Sequence, residues 1–157
     1  MDRIGIERLC GFGLPPVPFV DLAADLGCRY IATSLVPMQY NPHGYPKWSL
    51  RDDRALRREM IAAMAIRGVS ISLCEGFGVK PNADVGEYAD DLDVLCELGV
   101  KRINVASMDF DLSRTFDQFA KIAEMADALE IETTIEIAPG PVRGLPAALA
   151  ARPERNR

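Results

Sequence analysis

Residues 131–140 read IETTIEIAPG. Ile131, Ile135 and Ile137 share one parity of a period-2 pattern, and Glu132, Thr134 and Glu136 share the other. Such alternation marks a strand with two unlike faces. An Ala-Pro-Gly turn follows, which puts Glu136 at the carboxyl end of that strand. In a sandwich the polar side faces water and Glu136 carries no special meaning. In a closed barrel the same side faces an interior. The rest of the sequence decides between the two.

Working back along the chain gives a strand–helix alternation. Strand patterns fall at 3–9, 29–35, 69–74, 102–107 and 131–137, with helical patterns between them. "PFVDLAADLG" offers Pro18 near a helix start and Gly27 at its end. In "SLRDDRALRREMIAAMAIRG" the spacing predicts Ser49 as N-cap, Asp52 in the capping-box position and Gly68 as terminator. Leu56, Met60 and Met64 form its apolar stripe. "DVGEYADDLDVLCELG" repeats the grammar with Asp84, Glu87 and Gly99, and Tyr88, Leu92 and Leu95 as its buried face. Ser113 is placed to cap a fourth helix, along which Phe116, Phe119, Ala123 and Ala126 line up. A fifth helix is expected to begin in "LPAALAA". Alternation of this kind predicts a parallel sheet with right-handed crossovers.

The connections are unequal. Helix-to-strand links are short, whereas strand-to-helix links include "VPMQYNPHGYPKW", "EGFGVKPNA" and "MDFDL". Elaboration at the carboxyl ends of parallel strands is where function gathers in α/β folds. Each strand also pairs an aliphatic face with a small or polar one. Val69, Ile71 and Leu73 alternate with Ser70, Ser72 and Cys74; Ile103 and Val105 alternate with Asn104 and Ala106; Ile31, Thr33 and Leu35 alternate with Ala32 and Ser34. Sheets covered on both faces read as continuous aliphatic runs instead. The pattern therefore favours an α/β, partial TIM-type (β/α) barrel of five parallel strands and four to five helices over a Rossmann-like sheet. No G-x-G-x-x-G follows the first strand, which further weakens a dinucleotide reading.

The 157 residues suffice for one core, and 48% hydrophobic with 26% charged residues is a globular composition. The net charge of −5 argues against a nucleic-acid partner, which needs a basic stripe. No apolar run is long enough to span a bilayer, and no signal peptide is read at the start. Cys10, Cys28, Cys74 and Cys96 form no C-x-x-C pair, so reduced thiols in a cytoplasmic protein are expected.

The segments "FGLPPVPFVDLAADLG", "NPHGYPKWSLRDD", "RGVSISLCEGF", "RINVASMD" and "ETTIEIAPG" resemble the xylose isomerase-like TIM barrels, the sugar phosphate isomerases and epimerases. The resemblance covers residues 3–140 and treats 1–140 as a half-barrel, with 141–157 an atypical Arg/Pro/Ala-rich tail. It implies metal-assisted proton transfer on a hydroxy-ketone or sugar, with a divalent ion (Mn, Mg, Co or Zn). Glu136 in "IEIAPG" matches the glutamate that ends the fifth strand of that family, which is a metal ligand and often moves the proton. The family's remaining ligands, from later strands, have no counterpart after Gly140, so the expectation is a truncated chain, inactive alone.

Other candidates lie at the same end of the strands. His43, the only histidine, sits with Tyr40, Tyr45 and Trp48 in the loop after the second strand, either contacting substrate or pinning the loop. Glu75 ends the third strand; strict alternation puts it on the helix side, but Gly76 permits a twist that re-aims it as a second acid. Glu7 has lumen parity in the first strand and is a substrate-binding candidate, with Arg102 or another base as its expected partner. Asp109 and Asp111 are read as helix caps. Two further function classes remain. One is a non-catalytic half-barrel that self-associates through open sheet edges. The other is a metal-dependent endonuclease-like phosphodiesterase, disfavoured by the single histidine.

Overall fold

The computed structural model describes residues 4–136. Five strands, β1 (Gly5–Ile6), β2 (Tyr30–Ser34), β3 (Ser70–Val79), β4 (Arg102–Ser107) and β5 (Glu132–Ile135), form one sheet in the order β1-β2-β3-β4-β5. Every neighbouring pair is parallel. The helices α1 (Pro16–Asp25), α2 (Arg54–Arg67), α3 (Ala89–Glu97) and α4 (Leu112–Asp127) fill the crossovers. The strand order never reverses, so there is no switch point of the doubly wound kind. Right-handed crossovers wound in a single direction put the helices on one side and leave the other side as an interior. This is the curvature of a (β/α) barrel over five consecutive units.

One apolar cluster fills the space between sheet and helices. Ile31, Ile103 and Val105 from the strands meet Val20, Met60, Leu92, Leu95 and Ile122 from the helices, all essentially inaccessible to solvent. Met60 and Met64 of the predicted α2 stripe are buried, with Leu56 packed against the cluster. Gly68 ends α2 at φ 67°, a conformation that a Cβ disfavours, and its N–H bonds the Met64 carbonyl.

Several local expectations are corrected. The first strand stops at Ile6, because Arg8–Gly11 turns into a 3-10 helix. Ser49 and Asp52 do bond each other, Ser49 Oγ to Asp52 Oδ2 at 2.6 Å, but they close a turn before α2. The α2 cap is Asp53, which accepts from the Leu56 N–H. Asp84 caps a 3-10 turn, Val85–Tyr88, that precedes α3. Asp111 rather than Ser113 caps α4, accepting from the Arg114 N–H. Phe116 is 62% exposed, and the buried stripe of α4 is Thr115, Ile122 and Ala126. Ile137, the fifth-helix pattern and the tail lie outside the described residues.

The most consequential correction concerns β3. Ile71 pairs with Ile31, but Leu73 pairs with Ala32, so Ser72 is an extra residue in the ladder. The bulge inverts the parity downstream of it. Cys74, expected on the polar face, is completely buried and pairs with Thr33 and Ile103. Leu73 and Glu75 take the other face, beside Ala32 and Ser34.

Candidate functional site at the carboxyl ends of the strands

Connections at the carboxyl ends run through 7–15, 35–53, 80–88 and 108–111, while those at the amino ends are 26–29, 68–69, 98–101 and 128–131. Three glutamates stand at the elaborated end, and the strand register relates them. Glu7 continues β1 in extended conformation (φ −87°, ψ 140°) and falls next after the Ile6↔Ile31 pair, opposite Ala32. Ala32 pairs with Leu73, and Glu75 lies two residues beyond it. Glu75 and Gly76 both lie between the Cys74↔Ile103 and Phe77↔Val105 pairs, level with Asn104; Asn104 pairs with Thr134, and Glu136 lies two residues beyond. Two residues per two strands is one per strand, the stagger that closes eight strands with a shear of eight. In such a barrel alternate strands supply one interior layer. Glu7, Glu75 and Glu136 stand at the carboxyl ends of β1, β3 and β5 on the parity of one such layer.

Two of the three meet. Arg8 Nε donates to Glu75 Oε2 at 2.9 Å, crossing the end of β2, and lies 3.9 Å from Glu7 Oε1. Glu7 Oε2 accepts from the Leu9 N–H at 2.7 Å, which caps the 3-10 turn. Its other oxygen, Oε1, is buried without a hydrogen-bond partner among the described residues. Burial raises the Glu7 pKa above the usual carboxyl range, and the adjoining Glu75 adds to the rise, against the lowering effects of the Leu9 N–H and Arg8. The expected Arg102 partner is elsewhere, paired with Glu132. Strict alternation put Glu75 on the helix side; the Ser72 bulge upstream, and not a twist at Gly76, turns it to the other face. Gly76, at φ 105°, lies in a second irregularity against β4, where Cys74↔Ile103 is followed by Phe77↔Val105.

Glu136 stands apart, solvent-exposed, with its backbone N–H bonded to the Val105 carbonyl. Asn104 Nδ2 donates to Glu136 Oε2 at 3.3 Å, and Asn104 Oδ1 lies 3.1 Å from the Thr134 hydroxyl. No basic side chain pairs with Glu136 among the described residues. Across two strand spacings it is roughly 10 Å from the β3 position.

His43, Tyr45 and Trp48 belong to the loop between β2 and α2. His43 is exposed and contacts Phe12 and Tyr45, with ring centroids 6.2 and 5.6 Å away. Asn41 bonds both the N–H and the carbonyl of Tyr45, at 3.0 and 2.8 Å. Trp48 Nε1 donates to the Gly13 carbonyl at 3.1 Å and ties this loop to the one after β1. Asp111 is a cap, whereas Asp109 is buried (2% exposed) and held by Arg114, which keeps its carboxyl below the usual range. Arg8 escaped the sequence reading, although its place directly after Glu7 at a strand end was a visible signal.

The acids do not make a closed metal centre. No group of three His, Cys, Asp or Glu side chains with ligand spacing occurs among the described residues. Glu136 is a single carboxylate, whereas Mg²⁺ takes six ligands and Ca²⁺ six to eight, mostly oxygens. The described residues do not by themselves fit a divalent ion.

This fold is that of a TIM-type (β/α) barrel, as the solved structures similar to it show. Similar solved structures include IolI with a bound zinc atom, at 12% identity and TM-score 0.63 over 83% of this chain and 50% of that one. D-psicose 3-epimerase with D-tagatose, from Clostridium cellulolyticum H10, matches at 17% identity and TM-score 0.60, over 85% of this chain and 51% of that one. A xylose isomerase domain protein from Salmonella typhimurium LT2 matches at 14% identity and TM-score 0.65, over 89% and 51%. The chain thus spans about half the length of the structures it resembles. No family model matches the sequence, and no curated protein matches it either. No helix among the described residues is long and apolar enough to cross a membrane.

Proposed function

We propose that this chain contributes strands one to five of a sugar isomerase or epimerase, acting on a hydroxy-carbonyl sugar by proton transfer at carbon. What supports this reading is the position of Glu7, Glu75 and Glu136 at the carboxyl ends of alternate strands. Glu136, unpaired by any cation among the described residues and held by one long bond from Asn104, is the base that takes the proton. Glu7, whose burial favours its protonated form, is the acid for the neighbouring substrate oxygen. A divalent ion would stabilise negative charge on that oxygen. Its further ligands are not among the described residues, and no step above depends on it.

The test is exchange of the carbon-bound proton of D-psicose or D-tagatose in D₂O, followed by NMR with and without added Mn²⁺. Exchange that falls by about 10²-fold or more in Glu136→Gln is expected. Background exchange in both conditions removes the reading for this chain. A second reading, a half-barrel that associates with another copy, is favoured by exposed Met108 (53%), Phe110 (66%) and Ile135 (46%) around the last described strand. Concentration-dependent sedimentation without exchange would select it.

A further inference from the structure

Glu7, just after β1, and Glu75, within β3, adjoin each other with one cation between them. Arg8 Nε lies 2.9 Å from Glu75 Oε2 and 3.9 Å from Glu7 Oε1. The first is a charge-assisted hydrogen bond, and the second is too long for one. Two carboxyls so placed do not both ionise without cost, and the proton stays on the one worse served as an anion. Glu75 as an anion receives the Arg8 Nε–H. Glu7 as an anion receives the Leu9 N–H on Oε2 at 2.7 Å, but Oε1 is buried and no donor among the described residues reaches it. Protonated, the same oxygen needs no donor. Burial is the main influence raising the Glu7 pKa, and Glu75 adds to it both as a charge and as a hydrogen-bond acceptor. Among the described residues, Arg8 and Glu75 are the charges that act on Glu7. Strand β2, between the two acids, offers Ala32, Thr33 and Ser34 at this level, none of which titrates. The Cys74 thiol beside Glu75 is buried and pushed up to about 12, so it stays neutral.

We infer that Arg8 is a positioning residue for the acid: it holds Glu75 as the anion of the pair and so leaves the proton on Glu7. The inference deepens the isomerase or epimerase reading, from which it takes the role of Glu7. The Arg8 guanidinium is the one donor to the Glu75 carboxylate among the described residues, so it alone fixes the choice. Without it Glu75 has no donor, while Glu7 keeps the Leu9 N–H. The proton then moves to Glu75, and the two acids exchange roles.

Side-chain carboxyl ¹³C shifts of the full chain, followed from about pH 3 to about pH 9, report each glutamate separately. In the unaltered chain Glu7 is expected to release its proton at a pH about one unit or more above Glu75, about a tenfold difference in proton affinity. Arg8→Met is expected to reverse that order. Arg8→Lys is expected to keep it, because the ammonium supplies both a charge and a donor. A side chain that merely pinned the turn after β1 would leave the order unchanged when replaced. Glu75 titrating at or above Glu7 in the unaltered chain overturns the inference. So does an unchanged order in an Arg8→Met chain with the amide dispersion of a folded protein. If that variant does not fold, a reversed order in Arg8→Lys overturns it instead. None of these titrations needs turnover. Absence of Glu136-dependent exchange in D₂O would remove the proposed function and leave the allocation of the proton standing, whereas the wrong order would remove the allocation and leave the exchange.

Discussion

Glu7 shows how one side chain carries opposing demands. It caps a turn through Oε2, and it keeps Oε1 buried beside another carboxyl. Because its pKa in the folded chain is raised, the native state holds this proton more tightly than the unfolded chain does. Stability from this group is therefore fully present below the ordinary carboxyl pKa and is lost as pH rises through the folded value. Glu7→Gln should remove that loss: its urea-unfolding free energy should decline less between pH 4 and pH 8 than that of the unaltered chain. A steeper decline in the variant would contradict the assignment. The parity of Glu7 and its interior position were legible in the sequence. Its partner was not, because Arg8 reaches it only after the chain leaves the strand and turns.

At the level of elements, type and order were legible, since apolar periodicity and Gly terminators reflect burial and backbone sterics that act locally. Cap identity was harder, because several Ser and Asp residues compete at each helix start. At α2, Ser49, Asp52 and Asp53 all suit a cap; Ser49 and Asp52 satisfy each other, leaving Asp53 to bond the Leu56 N–H at 2.9 Å. Asp53→Ala should therefore cost about 1 kcal/mol in urea unfolding, and Ser49→Ala distinctly less. Equal costs would return the cap to the earlier turn. At α4 the aromatic residues misled for a physical reason. Phe116 has the hydrophobicity of a core residue but falls outside the arc of Thr115, Ile122 and Ala126 that faces the sheet.

Across the whole molecule, the β1-to-β5 order joins every unit through one continuous core. Ile103 lies at its centre, fully buried, while Trp48 packs on its margin, in the loop after β2. Ile103→Ala should cost about 2–5 kcal/mol and shift far-UV CD and Trp48 fluorescence transitions together. Separated transitions would show that the units melt independently. The face pattern of β2 and β4 was enough to point to a barrel, yet the interior of β3 was misread, because a bulge leaves no mark in hydrophobic alternation. Ser72 acts there as a one-residue phase shifter. Deleting it would join Ile71 to Leu73 in a regular ladder and would keep Cys74 among the helices and Glu75 at the mouth. A one-residue change of length is thus absorbed within this strand while the groups beyond it keep their faces. An ungapped alignment through β3 would match the wrong side chains.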